Sequence, residues 1–410
     1  MTVFSSKHFA HHDEVVFFHD APAGLKAIIA IHDTTLGPAL GGCRMWNYET
    51  DNEALEDVLR LSRGMTYKAA MAGLNFGGGK AVVIGDPHKD KSEALLRSLG
   101  RFVDSLDGRY IVAEDVGMTV EDMDVVRHET RYVAGIAEGG GDPSPATAWG
   151  VYNGIMAAVH HKLQRADLDG VKVAVQGLGH VGTHLCDRLA RDGARLVVTD
   201  IDEDAMRQAT ERFGAVGVAP DRIYDAEVEV FAPCALGAIL NDQTIPRLKA
   251  PIVAGAANNQ LANSRHGKAL AERGILYAPD YVINAGGLIY VSSEVSNRGT
   301  HFDREVAMAH VGRLYDRLRY LFDRAEAEGA PTSEMADRIA WERLDEVRGP
   351  GLSGDRAHAR SSTLGAPVDR SNLSREFGDD IFDQSDRDHM LAGHSKGAKS
   401  QARTTCFISP

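Results

Sequence analysis

A glycine-rich turn between two apolar segments constrains the fold of this chain more than any other feature. The segment VKVAVQ, which begins at Val171, is short and apolar, as a buried strand is. It leads directly into GLGHVG, and the helical pattern that follows closes at Gly193. A second apolar segment, LVVTD, ends at Asp200, eighteen residues after Gly182. This order predicts a dinucleotide-binding α/β unit.

The residue types in this turn suit a phosphate-bearing cofactor. The glycines allow a tight turn, the close approach of a pyrophosphate and close packing of the helix, whose N-terminus faces the phosphates. Asp200 is expected to accept hydrogen bonds from a ribose 2′-hydroxyl and to repel a 2′-phosphate, which favours NAD over NADP. The predicted cofactor-binding residues here are Gly177, Leu178, Gly179, His180, Val181, Gly182, Thr183 and Asp200.

Two lysines flank a second glycine cluster, in the segment GMTYKAAMAGLNFGGGK that ends at Lys80. Thr50 and Glu53 have the form of a capping box, and the 3.6-residue apolar spacing after them predicts a helix with Lys68 near its end. The glycines 77–79 are expected to let the backbone bend and approach a ligand. Lys80 would then stand at the entrance of a buried strand over residues 81–84.

The pair of lysines can be interpreted as a functional pair or as two ordinary surface side chains. Two ammonium groups that face one cleft lower each other's pKa, and burial acts in the same direction. One of them could hold or transfer a proton near neutral pH while the other holds a carboxylate. The alternative is that both are solvated surface side chains, the common state of lysine. The glycines and the apolar flanks argue against that alternative.

Strand and helix patterns alternate along the rest of the chain, which predicts an open α/β sheet. Two strands about a Pro/Gly turn span Val15 to Asp33. A strand from Tyr110 to Ala113 leads to Asp115, at the sheet edge where such folds bind ligands, although Asp115 could instead cap a helix. The segment GPALGG, residues 37–42, indicates either close approach to a ligand or a β-bulge.

These patterns predict two domains and an extension. Residues 1–140 form an N-terminal open α/β substrate and catalytic domain, and residues 141–330 form a Rossmann doubly wound NAD-binding domain. The segment EGGGDPSP, Glu138 to Pro145, is the predicted hinge. Residues 331–348 form a helix that returns to the first domain. Residues 349–410 are rich in Ser, Gly, Asp and Arg without periodicity, which predicts a largely disordered extension.

Composition excludes several classes of partner. A net charge of -13 and a pI near 5.7 disfavour nucleic acid or an anionic membrane and favour a small molecule. Four scattered cysteines without CxxC spacing indicate neither a disulfide framework nor a zinc site, as in a reducing cytoplasm. His8, His11, His12 and His19 are not paired with carboxylates at ligand spacing, so no metal is predicted. Neither a membrane span nor a signal peptide is indicated.

A longer series of motifs resembles one enzyme family. From about Val15 to Arg348, the segments GPALGGCRMW, EALEDVLRLSRGMTYK, GGGK, AEDVG, GLGHVG, NDQTIP, NNQL and YAPDYVINAGG are similar to those of the Glu/Leu/Phe/Val amino-acid dehydrogenases. The resemblance implies NAD-dependent reversible oxidative deamination of a branched-chain L-amino acid (leucine, also valine or isoleucine) to a 2-oxo acid and ammonia. It also implies a homo-oligomer, often an octamer.

The same resemblance implies roles for individual residues. Lys68 would hold the substrate carboxylate, Lys80 would activate water as the catalytic lysine, and Asp115 would relay protons. Asn259 would lie near both nicotinamide and substrate. Thr147 and Ala235 would lie at the cofactor and Gly41 at the substrate. The side-chain pocket would be lined by Leu40, Met65, Ala113, Leu288 and Val291.

Two of these pocket positions bear on substrate preference, and they point to different classes of substrate. Ala113 matches the aliphatic-specific members, whereas Leu288 matches the aromatic-specific members. One alternative is therefore a phenylalanine dehydrogenase. A second alternative, from another class of protein, is a non-catalytic NAD-binding sensor. A sensor would be expected to lose Lys80 or Asp115, and both are present.

Overall fold

The computed structural model describes residues 3–136, 140–296 and 302–349. These residues form two sheets with helices between their strands, so the predicted α/β class is confirmed. The predicted hinge lies partly outside the described residues. The predicted extension lies outside them entirely apart from Gly349. None of the described helices is long and apolar enough to span a membrane.

The first sheet contains the predicted hairpin and three further strands. Its strands are β1 (Glu14–Asp20), β2 (Leu25–Asp33), β3 (Ala39–Trp46), β4 (Gly77–Ile84) and β5 (Tyr110–Glu114), in the order β1-β2-β4-β3-β5. The strand β2 is antiparallel to β1 and β4, whereas β3 is parallel to β4 and β5. The helices of this half are α1 (Asp51–Met71), α2 (Glu93–Asp104) and α3 (Val120–Val126).

Helix α1 begins as predicted but with only half of the capping box. The Thr50 hydroxyl accepts a hydrogen bond from the N–H of Glu53 at 3.2 Å. The Glu53 carboxylate accepts from the N–H of Glu49, at 3.1 Å, rather than from that of Thr50. Lys68 lies in the last turn of α1, as the apolar spacing predicts.

The glycine cluster before Lys80 has a different role from the predicted one. Glycines 77–79 belong to β4 and do not form a bend, so Lys80 lies inside the strand rather than at its entrance. A Cβ atom on Gly78 would lie 2.1 Å from the backbone nitrogen of Thr66, and one on Gly79 would lie 2.7 Å from the Tyr110 ring. The cluster therefore lets α1 and the ring of Tyr110 lie directly against β4. The groups that approach these glycines closely are thus other parts of the protein.

The second sheet has the strand order of a doubly wound Rossmann fold. Its strands are β6 (Lys172–Gln176), β7 (Arg195–Thr199), β8 (Val216–Gly217), β9 (Val230–Pro233), β10 (Ile252–Val253) and β11 (Leu276–Tyr277), in the order β11-β10-β9-β6-β7-β8. All of these pairings are parallel. The chain leaves β6 towards β7 and later returns to β9 on the other side, so the direction of winding reverses at β6. The helices before β11 are α4 (Ser144–Leu163), α5 (His180–Arg191), α6 (Glu203–Phe213) and α7 (Arg265–Glu272).

Five consecutive helices follow in the described part of the chain, and the fifth of them packs on the first half. They are α8 (Asp280–Ile283), α9 (Gly286–Ser296), α10 (Arg304–Gly312), α11 (Leu314–Glu328) and α12 (Thr332–Arg348). Arg343 of α12 donates to the carbonyl oxygens of Ala70 at 2.7 Å and of Leu74 at 3.0 Å, at the end of α1. The domain boundaries drawn from the sequence stay a prediction.

Candidate active site

An ion pair between Lys80 and Asp115 joins β4 to the end of β5. Lys80 is buried on β4, and its Nζ atom lies 3.1 Å from Oδ2 of Asp115, which follows β5 directly. The Nε atom of Arg44 donates to the same Oδ2 at 3.0 Å. The residue that caps α3 is Thr119. The helix-capping alternative for Asp115 is therefore wrong, and its carboxylate instead faces two cations.

These cations keep Asp115 ionised. Burial raises the pKa of the carboxyl group, but the charges of Lys80 and Arg44 more than offset this effect, so the pKa of Asp115 is lowered from its ordinary value. Its second oxygen, Oδ1, makes no hydrogen bond within the described part of the chain. One oxygen of the carboxylate is thus held in place, and the other remains able to bind a proton donor.

The second predicted lysine, Lys68, has a lowered pKa. Its side chain is half-buried in the last turn of α1. Burial lowers the pKa of Lys68 to about 8; Lys80 acts in the same direction, and the carboxylates of Asp280 and Asp115 act against it. The structure therefore brings both predicted lysines and the predicted aspartate into one electrostatic group. Lys68 can change its protonation state close to neutral pH.

Four of the predicted pocket residues belong to one apolar cluster that joins the two halves of the chain. The cluster includes Leu40 of β3, Ala113 of β5, and Leu288 and Val291 of α9. Ala113 is separated from Asp115 by a single residue. An apolar surface therefore lies beside the ion pair. It is formed by side chains from both halves of the chain.

Two further predicted substrate residues, Gly41 and Met65, lie where β3 passes α1. A Cβ atom on Gly41 would lie 1.8 Å from the carbonyl oxygen of Gly79 and 3.5 Å from Cγ of Met65. The pairing of β3 with β5 runs without a register shift through Gly41 and Gly42, so the β-bulge alternative is wrong. Gly41 is required because two backbones and Met65 meet there.

Asn259 and Thr147 come from different elements of the second half. Asn259 has a left-handed backbone, with φ +52°, and its Oδ1 accepts from Nη1 of Arg60 at 2.9 Å. Arg60 lies on α1, so this hydrogen bond joins the two halves. The Thr147 hydroxyl donates to the carbonyl of Pro143 at 3.2 Å, and a Cβ atom on Gly287 would lie 2.7 Å from Thr147 Oγ1. Thr147 therefore lies against the start of α9, the helix that carries Leu288.

The predicted dinucleotide turn has the required backbone geometry. Gly177 has φ +102°, and a Cβ atom on Gly182 would lie 2.0 Å from the Gly177 carbonyl oxygen. By contrast, a Cβ atom on Gly179 would meet no described atom within 4 Å, and no side chain caps α5. The turn is closed on the strand side and open at the helix N-terminus, where His180, Val181 and Gly182 form the first turn.

Three further residues predicted at the cofactor hold this turn in shape. Asp200 accepts from the N–H of Leu178 at 2.5 Å. The Thr183 hydroxyl donates to the Leu178 carbonyl at 2.7 Å. A Cβ atom on Gly177 would lie 2.7 Å from Cβ of Ala235, so the loop after β9 lies against the turn. Asp200 and Thr183 therefore have a structural role in addition to any contact with a cofactor.

Sequence reasoning missed several polar residues of the site. Asp280 is partly buried; burial raises the pKa of its carboxyl group, which accepts from the N–H of Gln260 at 3.0 Å. It follows β11 by a short segment, so its position at the ligand edge of a parallel sheet was a usable signal. Arg44 stands inside a motif already singled out. Asp57 pairs with Arg44 at 2.9 Å, and Arg60 lies three residues further along α1; in the sequence Asp57 and Arg60 resemble an ordinary solvated pair and carry no such signal.

Comparison with known families identifies the same two halves. The family described as "Glu/Leu/Phe/Val dehydrogenase, dimerisation domain" matches residues 12–132. The family described as "Glutamate/Leucine/Phenylalanine/Valine dehydrogenase" matches residues 139–347. Together these matches cover both sheets and all of α12 except its last residue.

Individual relatives agree with this result. A leucine dehydrogenase from Thermoactinomyces intermedius is 54% identical over 351 residues, which are 85% of this chain and 95% of the relative. A leucine dehydrogenase from Geobacillus stearothermophilus has the same identity and coverage. The crystal structure of L-tryptophan dehydrogenase from Nostoc punctiforme matches with a TM-score of 0.74 and 48% identity, over 83% of this chain and 98% of that one. The chain therefore belongs to the Glu/Leu/Phe/Val dehydrogenase family.

Proposed function

We propose that this protein catalyses the NAD-dependent, reversible oxidative deamination of a branched-chain L-amino acid, with leucine preferred over valine and isoleucine. The observation that carries this proposal is the Lys80–Asp115 ion pair, at 3.1 Å, with Lys68 in the same electrostatic group. The relatives called leucine dehydrogenase, at 54% identity, support the choice of reaction. In the forward direction, one amino acid, NAD⁺ and water give one 2-oxo acid, one ammonium ion, NADH and one proton.

The residues of the dinucleotide turn fit NAD. The open N-terminus of α5 suits a pyrophosphate, because its N–H groups and the helix dipole favour an anion. The Asp200 carboxylate has lone pairs beyond those used by Leu178, so it can accept from a ribose 2′-hydroxyl and repel a 2′-phosphate. Ile201, next in the chain, is exposed and offers an apolar surface to an adenine ring. Bound there, NAD supplies the acceptor for the hydride that leaves the α-carbon of the amino acid.

Each of the remaining steps is assigned to one of three residues, Lys68, Lys80 or Asp115. The protonated Lys68 holds the substrate carboxylate and fixes the orientation of the α-carbon. Lys80 removes a proton from a water molecule as the oxygen adds to the carbon of the substrate imine. Asp115 delivers a proton to the nitrogen, Lys80 takes the proton of the new hydroxyl group, and the C–N bond breaks as the carbonyl group forms and ammonia leaves. The 3.1 Å contact gives the proton taken by Lys80 a direct path to Asp115.

The apolar cluster beside the ion pair supports an aliphatic side chain. Leu40, Ala113 and Val291 offer methyl and methylene groups, so a branched aliphatic chain leaves no polar group unpaired there. Leu288 supports the second candidate, a phenylalanine dehydrogenase, because the resemblance associates leucine at this position with aromatic substrates. The methyl group of Ala113 argues the other way, since it takes space from a ring.

An NADH-formation assay with a panel of amino acids tests the proposal. We expect kcat/KM to be highest for leucine, lower for valine and isoleucine, and lowest for phenylalanine and glutamate. The variant Ala113→Gly should raise the activity with phenylalanine relative to leucine, and Leu288→Val should lower it. A preference of the wild-type protein for phenylalanine would establish the second candidate. No turnover with any amino acid, while NAD still binds, would favour a sensor.

Assembly and location belong to the same proposal. We infer a cytoplasmic homo-oligomer, an octamer by the resemblance. Its support is that residues 12–132 match a domain described as a dimerisation domain. Sedimentation equilibrium gives the mass of the assembly, and a single-chain mass would contradict the inference.

A further inference from the structure

A continuous series of charged contacts leads away from Asp115. Arg44 lies between two carboxylates, with Nε 3.0 Å from Oδ2 of Asp115 and Nη1 2.9 Å from Oδ2 of Asp57. The Tyr48 hydroxyl also donates to Asp57 Oδ2, at 2.8 Å. A carboxylate between two cations keeps its charge, and the pKa of Asp57 is lowered by Arg44 despite the opposing effect of burial. The position of Asp115 is therefore coupled to that of Asp57.

The series continues from α1 to the loop after β10. The other oxygen of Asp57, Oδ1, accepts from Nη2 of Arg60 at 2.7 Å. The Nη1 atom of the same guanidinium donates to Asn259 Oδ1 at 2.9 Å. The two ends of the Arg60 fork thus bind residues of different halves of the chain. Because a guanidinium is planar and rigid, Asn259 is held at a fixed position relative to Asp57.

We propose that Asp57 and Arg60 are positioning residues which tie the proton-relaying Asp115 to the nicotinamide-side Asn259. This proposal rests on the function proposed above. The contact between Arg60 and Asn259 forms only when the two halves lie against each other. When the two halves lie against each other, Asp115 and Asn259 are therefore oriented together. Arg44 makes this link, because it joins Asp115 to Asp57.

The competing explanation is that this series of contacts only stabilises the fold. The exposure of the series to solvent argues against that explanation. The Arg60 side chain is 39% exposed, and ion pairs that water can reach contribute little to stability. A cavity of about 470 Å³, lined in part by Arg44 and Asp57, also brings solvent to the middle of the series. Removal of Arg60 should therefore affect turnover far more than stability.

The test compares Arg60→Gln with a matched control. Arg97 is 36% exposed and also bridges two carboxylates, Glu93 at 2.8 Å and Glu129 at 2.9 Å, on the surface of α2. We expect Arg60→Gln to lower kcat with leucine roughly tenfold to a hundredfold, the range of a misplaced catalytic group, while Arg97→Gln leaves kcat unchanged. The melting temperatures of both variants should stay close to that of the wild type. Arg60→Lys should recover only part of the loss, since one ammonium group cannot reproduce the fork.

A double-mutant cycle separates positioning from stability. If Arg60 acts through Asn259, then Arg60→Gln should cost little further kcat in an Asn259→Ala background. Additive losses in the cycle, or equal kcat for Arg60→Gln and Arg97→Gln, would overturn the inference while the proposed function stands. If Arg60→Gln does not fold, Arg60→Lys is compared with Arg97→Lys under the same criterion. A wild-type protein without amino-acid turnover would remove both proposals.

Discussion

The Nζ atom of Lys80 lies 3.1 Å from Oδ2 of Asp115, although Lys80 lies on β4 and Asp115 follows β5, which is not a neighbour of β4. The strand β3 lies between β4 and β5, and the pair meets across its glycines. A Cβ atom on Gly42 would lie 2.8 Å from Cβ of Asp115, and one on Gly41 would overlap the Gly79 carbonyl. The middle strand thus has no side chain at Gly41 and Gly42, where it passes between β4 and the end of β5.

The first prediction is that Lys80→Ala abolishes turnover without loss of cofactor binding. The lysine acts on the substrate, and removal of a general base typically lowers kcat by about 10²–10⁴-fold. NAD affinity should stay within a few fold, since the glycine turn belongs to the other sheet. Kinetics and NAD titration measure the two effects. Lys91→Ala is the control, because Lys91 also pairs with an aspartate, Asp122 at 2.6 Å, outside the site. Near wild-type activity of Lys80→Ala would refute the mechanism.

The second prediction concerns pH and follows from Lys68. A substrate carboxylate binds the ammonium form, and burial lowers the pKa of Lys68 to about 8. The inhibition constant of 4-methylpentanoate, which lacks the amino group, should therefore be constant below that pH and rise about tenfold per unit above it. In Lys80→Gln the rise should move to higher pH, because a neighbouring cation is lost. In Lys68→Gln inhibition should be weak and independent of pH. A flat profile in the wild-type protein would exclude Lys68 as the carboxylate ligand.

The third prediction is that the charge of Asp200 sets the cofactor preference. Asp200→Asn keeps an oxygen that can accept from the N–H of Leu178, whereas Asp200→Ala loses this contact. Both variants should accept NADP better relative to NAD, since a 2′-phosphate no longer meets a negative charge. Asp200→Ala should in addition bind both cofactors more weakly. The measurement is kcat/KM for each cofactor, and an unchanged ratio in both variants would remove the role of Asp200.

Local patterns in the sequence predict the strands, the α1 helix and the dinucleotide turn, because each depends on neighbours within a few residues. The role of glycines 77–79 could not be found in this way. A glycine serves equally for a bend or for close packing, and the choice depends on Thr66 and Tyr110, which pack there from other elements. The link between Arg60 and Asn259 is hidden for the same reason, since 199 residues separate them.

Helix α12, the C-terminal helix of the described residues, indicates where the chain can be shortened. Arg343 donates to the Ala70 carbonyl at 2.7 Å, and Arg348 forms an ion pair with Asp33 of β2. The Arg343 contact holds the end of α1, which carries Lys68, so α12 supports the site directly. The segment after Gly349 lies outside the described residues; its sequence is polar and lacks apolar periodicity, so the expectation that it adds little to the fold stays a prediction.

The fourth prediction is therefore that a chain ending at Arg348 stays folded and keeps most of its leucine-dependent NADH production. Arg343→Ala, in the full-length chain, should instead lower stability by about 2 kcal/mol, the scale of hydrogen bonds made by a charged donor, and should raise KM for leucine as Lys68 loses its support. Activity, melting temperature and assembly mass of the two proteins and the wild type give the comparison. A large loss in the shortened chain would mean that the extension docks on a neighbouring subunit, through its apolar residues Phe377, Ile381 and Phe382.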